Sequence, residues 1–284
     1  MSKPLIIDAF PFANEKLVLE IRLNELSELV DHFIIIESNK TQTGIDKPYY
    51  FESYKEDFEK FSSKIVYIKL DDSSLTSVDK GNWSQEFRVR KAIVEVGLPE
   101  LSKKVKLKDE DYLIFSDCDE IPKLEALRKF AKNKEEVICF NHYFNSYFLN
   151  MHSKFRNPWG WYGAIMLKLK YLYTNDIQLL RNVKDKLPHS GDSGEGWHFS
   201  NMLLDEFESI YSKWVNNIEP HDKSCLRDKI LLKSQFEKCL HEDSHFFFCD
   251  QPEKREIFLE KLPECDLPLY VTNNADKFKK LLIH

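Results

Sequence analysis

At 284 residues the chain can bury most of the surface its unfolded form exposes, so folding requires neither a disulfide framework nor a structural metal. Hydrophobic residues make up 42% and charged residues 31%, with 8 Gly and 11 Pro, which excludes a disordered or fibrous chain. Lys and Arg number 41 against 47 Asp and Glu; the formal net charge of −6 gives no overall positive field that would favour nucleic acid.

The first 140 residues alternate short apolar runs with amphipathic stretches, the pattern of βα units around a parallel sheet, and the expected class is α/β. LIIDAF (5–10) reads as a strand. Asn14 can cap a following helix whose apolar positions Leu17, Ile21, Leu26 and Leu29 recur at helical spacing, widened by Val18 and Val30. HFIIIE (32–37) and KIVYIKL (64–70) are further strands, with a charged helical stretch near 52–61 between them and a helix over 83–98 after them. DYLIFS (111–116) is a fourth strand, followed at once by DCDEIP. Pro122 marks a helix start with Leu124, Leu127 and Phe130 on one face, and VICFNHYFNSYFLN (137–150) reads as a long aromatic strand. Beyond it come an aromatic cluster, a strand at 164–169 and a Gly-containing loop ending in GWHFS; helices dominate from Leu203 onward. No Pro/Gly/Ser-rich linker or repeat divides the chain, so one domain over 1–284 is expected.

The cysteines, Cys118, Cys139, Cys225, Cys239, Cys249 and Cys265, form no CxxC pair and no zinc-finger spacing, and read as reduced thiols. The opening MSKPLIIDAF has too short an apolar run for a signal peptide, and no stretch approaches the roughly 18 apolar residues of a membrane span. A soluble, cytoplasmic protein with no transmembrane segment is therefore expected. Sequons at Asn39 and Asn82 carry no weight without an export signal, and Asn82 with Gln85 also reads as a helix cap.

The chemistry centres on Asp117-Cys118-Asp119-Glu120, because this run lies at the carboxyl end of an apolar strand, the edge where open α/β sheets bind ligands. Two carboxylates one residue apart in a tight loop can share a hard divalent cation whose other positions go to diphosphate oxygens and water. A second Asp-x-Asp, at Asp109 and Asp111, lies at the start of the same strand, so position rather than motif carries the argument. Asp117 and Asp119 also fit a cap on the helix after Pro122. His198 in GWHFS is a candidate third metal ligand, or a structural imidazole. Glu86 and Arg90 lie four apart on a helix, which suits either an ordinary ion pair or a hold on a phosphate. Phe10 and Glu37, at strand ends, share the sheet edge with Asp117. Trp159, Trp161 and Tyr162 fit an apolar floor for a sugar ring as well as they fit a core.

Taken together, four segments resemble glycosyltransferase family 17: Ile6 to Gly44 (IIDAFPFANEKLVLEIRLNELSELVDHFIIIESNKTQTG), Trp83 to Arg90 (WSQEFRVR), Phe115 to Pro122 (FSDCDEIP) and Gly196 to Ser200 (GWHFS). The resemblance implies a GT-A type nucleotide-diphospho-sugar transferase fold: a Rossmann-like, mixed and mostly parallel sheet flanked by helices, with a helical C-terminal part. It further implies a UDP-sugar donor, N-acetylglucosamine as the sugar, a divalent cation such as Mn²⁺ or Mg²⁺, a glycan or glycoconjugate acceptor, and inversion at the anomeric carbon. On this reading Asp117 and Asp119 hold the metal, with His198 completing it, and Phe10, Glu37, Glu86, Arg90 and Asp117 form the donor pocket. Residues 1–135 become the nucleotide-sugar half. Residues 136–284 become the acceptor half, with Trp159, Trp161 and Tyr162 against the acceptor. Inversion also needs a carboxylate to take the acceptor proton, for which Asp192, Glu195, Asp243 and Glu120 are candidates. Two other readings stay open: a haloacid-dehalogenase-like phosphotransferase, and a catalytically silent module that binds a nucleotide sugar or a glycan.

Overall fold

The computed structural model describes residues 3–74, 82–132, 135–153, 161–189, 194–200, 202, 208, 211, 229–241 and 259–283, without the side chains of 153, 232, 235, 236, 239–241 and 259. Strands β1 (Ile6–Pro11), β2 (His32–Ser38), β3 (Ile65–Leu70) and β4 (Tyr112–Phe115) stand parallel in the order β3-β2-β1-β4. Parallel strands are covered on both faces, which is why β2 reads as a nearly unbroken apolar run. Phe33 and Ile35 face one core cluster, and Ile34 and Ile36 the other.

The first cluster receives helix α1 (Lys16–Leu26), whose Leu19, Ile21, Leu23 and Leu26 are fully buried, each worth about 1.5–3 kcal/mol of burial. Helix α2 (Tyr50–Tyr54) adds Phe51, and helix α5 (Leu124–Ala131) adds Leu127 and Phe130. The second cluster is covered by α3 (Ser84–Ala92), a π turn (Ile93–Gly97) and α4 (Leu98–Ser102), through Ala92, Ile93 and Leu101. One helix over 83–98 is expected from sequence; the π turn interrupts it. Pro99 has no N–H for the carbonyl four residues back, and Gly97 lies so close to β2 that a Cβ there would meet Ile34 Cγ2 at 2.6 Å.

Two helix starts differ from expectation. Asn14 does not cap α1: its Oδ1 accepts from the Tyr54 hydroxyl at 2.6 Å, while the Glu15 carboxylate takes the N–H groups of Ala13 and Asn14. Pro122 does not open a helix either, because it ends a short strand, β5 (Glu120–Pro122), and α5 begins after Lys123 with no side-chain cap. Asp117 and Asp119 are therefore not cap residues. Asn82 does support its helix, accepting from Ser84 N–H at 3.0 Å, whereas Gln85 turns inward to Ser38 and Asp72.

The second half of the chain extends the sheet with strands β6 (Val137–Ser146), β7 (Met151–Ser153), β8 (Trp161–Lys168), β9 (Gly196–Ser200) and β10 (Leu259–Lys261). Strand β8 runs antiparallel between β4 and β6, so the parallel character is concentrated in the first four strands. Strand β6 pairs with β8 from Val137 to His142, across a bulge between Cys139 and Asn141, and from Tyr143 to Ser146 runs parallel to β9. Strand β9 in turn pairs antiparallel with β5, setting His198 directly opposite Glu120. Strand β6 stops at Ser146, short of the expected 150, where buried Tyr147 takes a positive φ of 65°.

Helices are present toward the C-terminus as expected, among the described residues: α6 (Ile177–Asn182), α7 (Lys229–His241) and α8 (Leu269–Asn273). Helix α8 is tied to α1 by Glu25, whose carboxylate accepts the N–H groups of Leu269 and Tyr270 at 3.2 and 3.0 Å. Cys118, Cys139 and Cys265 are unbridged; Cys225, Cys249 and the Cys239 side chain lie outside the described residues. No described helix is long and apolar enough to cross a membrane.

Candidate active site

The acidic run forms a turn at the carboxyl end of β4, closed by the Glu120 N–H on the Asp117 carbonyl at 3.1 Å. Its shape is set from beneath by Arg22 of α1. One guanidinium nitrogen, Nη1, donates to the carbonyls of Asp117, Cys118 and Glu120 at 2.9, 3.1 and 3.0 Å, while Nε and Nη2 form a fork on Asp8 of β1 at 2.8 and 2.6 Å. Arg22 and Asp8 both have 0% exposed side chains. With the turn's carbonyls drawn onto Arg22 and Cys118 packed in the core, the Asp117 and Asp119 side chains are left at the surface of the turn, 31% and 13% exposed.

Asp117 lies between two arginines. Arg90 of α3 holds both carboxylate oxygens at 2.9 Å and also pairs with Glu86, as their spacing suggests; Arg181 of α6 meets Oδ2 at 2.5 Å. Arg181 also forks onto Glu120, at 2.6 and 2.9 Å. Glu120 further accepts from Trp161 Nε1 at 2.8 Å and the Asp117 N–H at 3.1 Å, with the Lys184 ammonium 3.4 Å away. Burial alone would raise the Glu120 pKa, but Arg181 and Lys184 outweigh it and hold the carboxyl well below its usual range. A carboxylate so held is a poor proton acceptor, which corrects the expectation that Glu120 is a candidate base.

Asp119 and His198 come together. The Asp119 carbonyl accepts from Phe199 N–H at 2.8 Å, and Asp119 Oδ2 lies 3.6 Å from His198 Nε2, close enough for one cation to touch both at the roughly 2.0–2.2 Å typical of such ligands. The other ring nitrogen, Nδ1, is buried without a hydrogen-bond partner. This mixed oxygen and nitrogen pair fits Mn²⁺ better than Mg²⁺, which prefers oxygen ligands. Asp117, expected as a further ligand, is committed to guanidinium groups, and no cluster of three or more His, Cys, Asp or Glu is gathered for a metal among the described residues.

The remaining candidates are distributed as follows. Phe10 is core, with the Arg22 guanidinium 4.3 Å above its ring. Glu37 is at the sheet edge, but its carboxylate is spent on its own chain: Lys47 Nζ and Tyr50 N–H at 2.9 and 2.7 Å, Phe51 N–H and Tyr67 OH at 3.1 and 2.8 Å. It ties α2 to the sheet instead of facing a nucleotide. Trp161 and Tyr162 cannot form one sugar floor, because successive strand residues point to opposite faces. Trp161 stacks on His198 at 4.6 Å, whereas Tyr162 packs on the second core cluster. The Trp161 ring also carries the Lys184 ammonium 4.6 Å from its centroid, so it is an internal spacer. Glu195 sits three residues before His198, its carboxylate accepting the Asn141 N–H at 3.3 Å. Trp159, Asp192 and Asp243 lie outside the described residues.

Sequence reasoning missed Asp8, Arg22, Arg181, Lys184 and His142. The first two left a signal, since each is a charge set inside an apolar run. His142 of β6 fills a slot between Gly163 and Gly196, fully buried, with neither ring nitrogen hydrogen-bonded. Burial pushes its pKa down from 6.5 to about 3, against the opposing pull of Glu120. The folded chain thus keeps His142 neutral where the unfolded chain takes up a proton. Its contribution to stability is complete above pH 6.5 and declines by about 1.4 kcal/mol per unit as pH falls toward 3. Denaturant unfolding is expected to show about 2 kcal/mol less stability at pH 5 than at pH 7 through this group, with a shallower slope in His142→Gln; equal slopes in the two proteins would contradict it.

Parallel strands with an acidic turn, flanking arginines and an imidazole at their carboxyl edge define an α/β protein whose charged cluster lies where open sheets of this kind bind ligands. The chain belongs to glycosyltransferase family 17, whose family model matches residues 1–283, which sets aside the phosphotransferase reading. Relatives include the beta-1,4-mannosyl-glycoprotein 4-beta-N-acetylglucosaminyltransferases of Rattus norvegicus and Homo sapiens, each 30% identical over 119 residues. Those matches cover 41% of this chain but only 21% and 22% of the relatives' own lengths. Among solved structures, the inositol-1-phosphate CTP transferase from T. maritima aligns over 100% of this chain and 99% of its own at 10% identity, with a TM-score of 0.35. The glycosyltransferase GlyE of Streptococcus pneumoniae TIGR4 aligns over 100% of this chain and 61% of its own at 10% identity, with a TM-score of 0.34.

Proposed function

We propose that this protein transfers a sugar, N-acetylglucosamine, from a UDP-sugar to a hydroxyl of a glycan or glycoconjugate, with inversion at the anomeric carbon. The observation that carries this reading is the Arg22-shaped acidic turn at the carboxyl end of β4, in a chain whose family match runs through it. Residues 1–135 would form most of the donor side and 136–284 the acceptor side, with Arg181 and His198 reaching from the second half to the acidic turn. Asp119 and His198 would hold Mn²⁺, which supplies Lewis-acid neutralisation of charge on the departing diphosphate. Asp117 fixes the directions of Arg90 and Arg181, whose charges would offset part of the same negative charge. As the acceptor oxygen bonds to the anomeric carbon, the bond from that carbon to the β-phosphate oxygen breaks and its electron pair leaves with UDP. The acceptor proton passes to a carboxylate, for which Asp192, Glu195 and Asp243 are retained.

Thermal melts of the purified chain with UDP- and GDP-sugars, each with and without Mn²⁺, test the donor. UDP-N-acetylglucosamine with Mn²⁺ is expected to raise stability by about 2.7 kcal/mol at a hundredfold excess over its Kd. No response to any nucleotide sugar would overturn the reading. Donor binding without UDP release over a broad acceptor panel would instead indicate a silent module.

A further inference from the structure

Among the cations around the turn, Lys184 is the one whose hydrogen-bonding capacity is least used. Arg22 is spent on Asp8 and the turn carbonyls, Arg90 on Glu86 and Asp117, and Arg181 on Asp117 and Glu120. Lys184 opens the 3-10 turn Lys184–Lys186 that follows α6, and its side chain is 18% exposed. Among the described residues its one hydrogen-bond contact is Glu120 Oε1 at 3.4 Å, longer than the roughly 2.7–2.9 Å of a charge-assisted bond. Glu120 meanwhile has closer donors in Arg181, Trp161 and the Asp117 N–H. The other contact of Lys184, the Trp161 ring 4.6 Å away, takes up charge but no N–H, so a mostly buried ammonium with three N–H groups keeps donor capacity to spare.

The local charge balance points the same way. Among the described residues, four carboxylates, Glu86, Asp117, Asp119 and Glu120, stand with three cations, Arg90, Arg181 and Lys184. A divalent cation turns this net charge from −1 to +1, and a nucleotide-sugar diphosphate of charge about −2 then fits with little excess of either sign. Without Lys184 the loaded site would carry one more uncompensated negative charge.

We propose that Lys184 is an anion-binding residue of this site, donating its unused N–H groups to the diphosphate of the nucleotide-sugar donor. This rests on the donor reading given above. Lys184 would form no bond to the sugar; its charge would offset the negative charge that UDP gains when the bond to the anomeric carbon breaks. Burial already pulls the lysine's pKa below its ordinary value, and an adjacent anion would raise it again.

The test is calorimetric titration of UDP into the full chain in Mn²⁺, comparing the parent with Lys184→Gln and Lys184→Arg. Lys184→Gln should weaken UDP by about ten- to a hundredfold, with the ligand-free melting temperature little changed, because Glu120 keeps its closer donors. Lys184→Arg should retain affinity within about threefold. A Lys184→Gln affinity within twofold of the parent would overturn the proposal and leave the donor reading intact. So would equal losses in both variants together with a fall in melting temperature, which mark a structural role. Failure of the parent to bind UDP at all would remove the donor reading, and this proposal with it.

Discussion

Asp119→Ala is expected to remove Mn²⁺-dependent binding of a UDP-sugar while leaving the fold intact. The substitution keeps the backbone carbonyl that accepts from Phe199 N–H, and with it the register of β5 against β9. What goes is a carboxylate 3.6 Å from His198 whose side chain is only 13% exposed. With Asp117 held by Arg90 and Arg181, Asp119 is the carboxylate of the turn set beside His198, so its loss removes half of that pair. The Kd for the donor in Mn²⁺ should rise at least about a hundredfold, equivalent to about 2.7 kcal/mol, and converge on the value measured in chelator. Titration with and without EDTA reads this directly. An unchanged donor affinity in Mn²⁺ would show that the cation, if required, is held elsewhere.

Arg22→Leu should be the most damaging single change in stability. It strands the Asp8 carboxylate at 0% exposure and frees the carbonyls of Asp117, Cys118 and Glu120 from their common donor. Breaking a buried pair from one side costs about 3–5 kcal/mol, whereas replacing both partners with apolar residues is often close to neutral. The double variant Asp8→Val with Arg22→Met is therefore expected to recover much of the unfolding free energy in a denaturant titration. Donor affinity should stay low in the double variant, because the turn still lacks the donor that shapes it. Recovery of both stability and affinity would mean that the turn holds its shape without Arg22.

How far the molecule can be read from its residues follows from which forces act locally. The four parallel strands were legible because β2 and β4 are covered on both faces and must be apolar throughout. The short strand β5 was not, since its Pro122 resembles a helix start until β9, more than seventy residues away, pairs with it. Asp117 and Asp119 stood out by position, yet their division of labour was invisible: Arg181 carries no local mark that separates it from the chain's many other basic residues. Glu37 was misread for the opposite reason. A carboxylate at a strand end suggested a ligand, and the donors that satisfy it, Lys47, Tyr50, Phe51 and Tyr67, lie ten to thirty residues further along.

The slot around His142 has an evolutionary consequence. The three atoms nearest to a Cβ on Gly163 would all belong to the His142 ring, at 2.3 to 2.6 Å, whereas one on Gly196 would also strike the Ile121 carbonyl at 2.4 Å. Gly163 can therefore change once His142 has become smaller, but only in that order, because the reverse order passes through a clashing intermediate. Gly196 has no such route, since a backbone oxygen cannot shrink. Two glycines that look alike in the sequence thus differ in kind: one is crowded by a side chain that can itself be replaced, the other by a backbone oxygen that every residue carries.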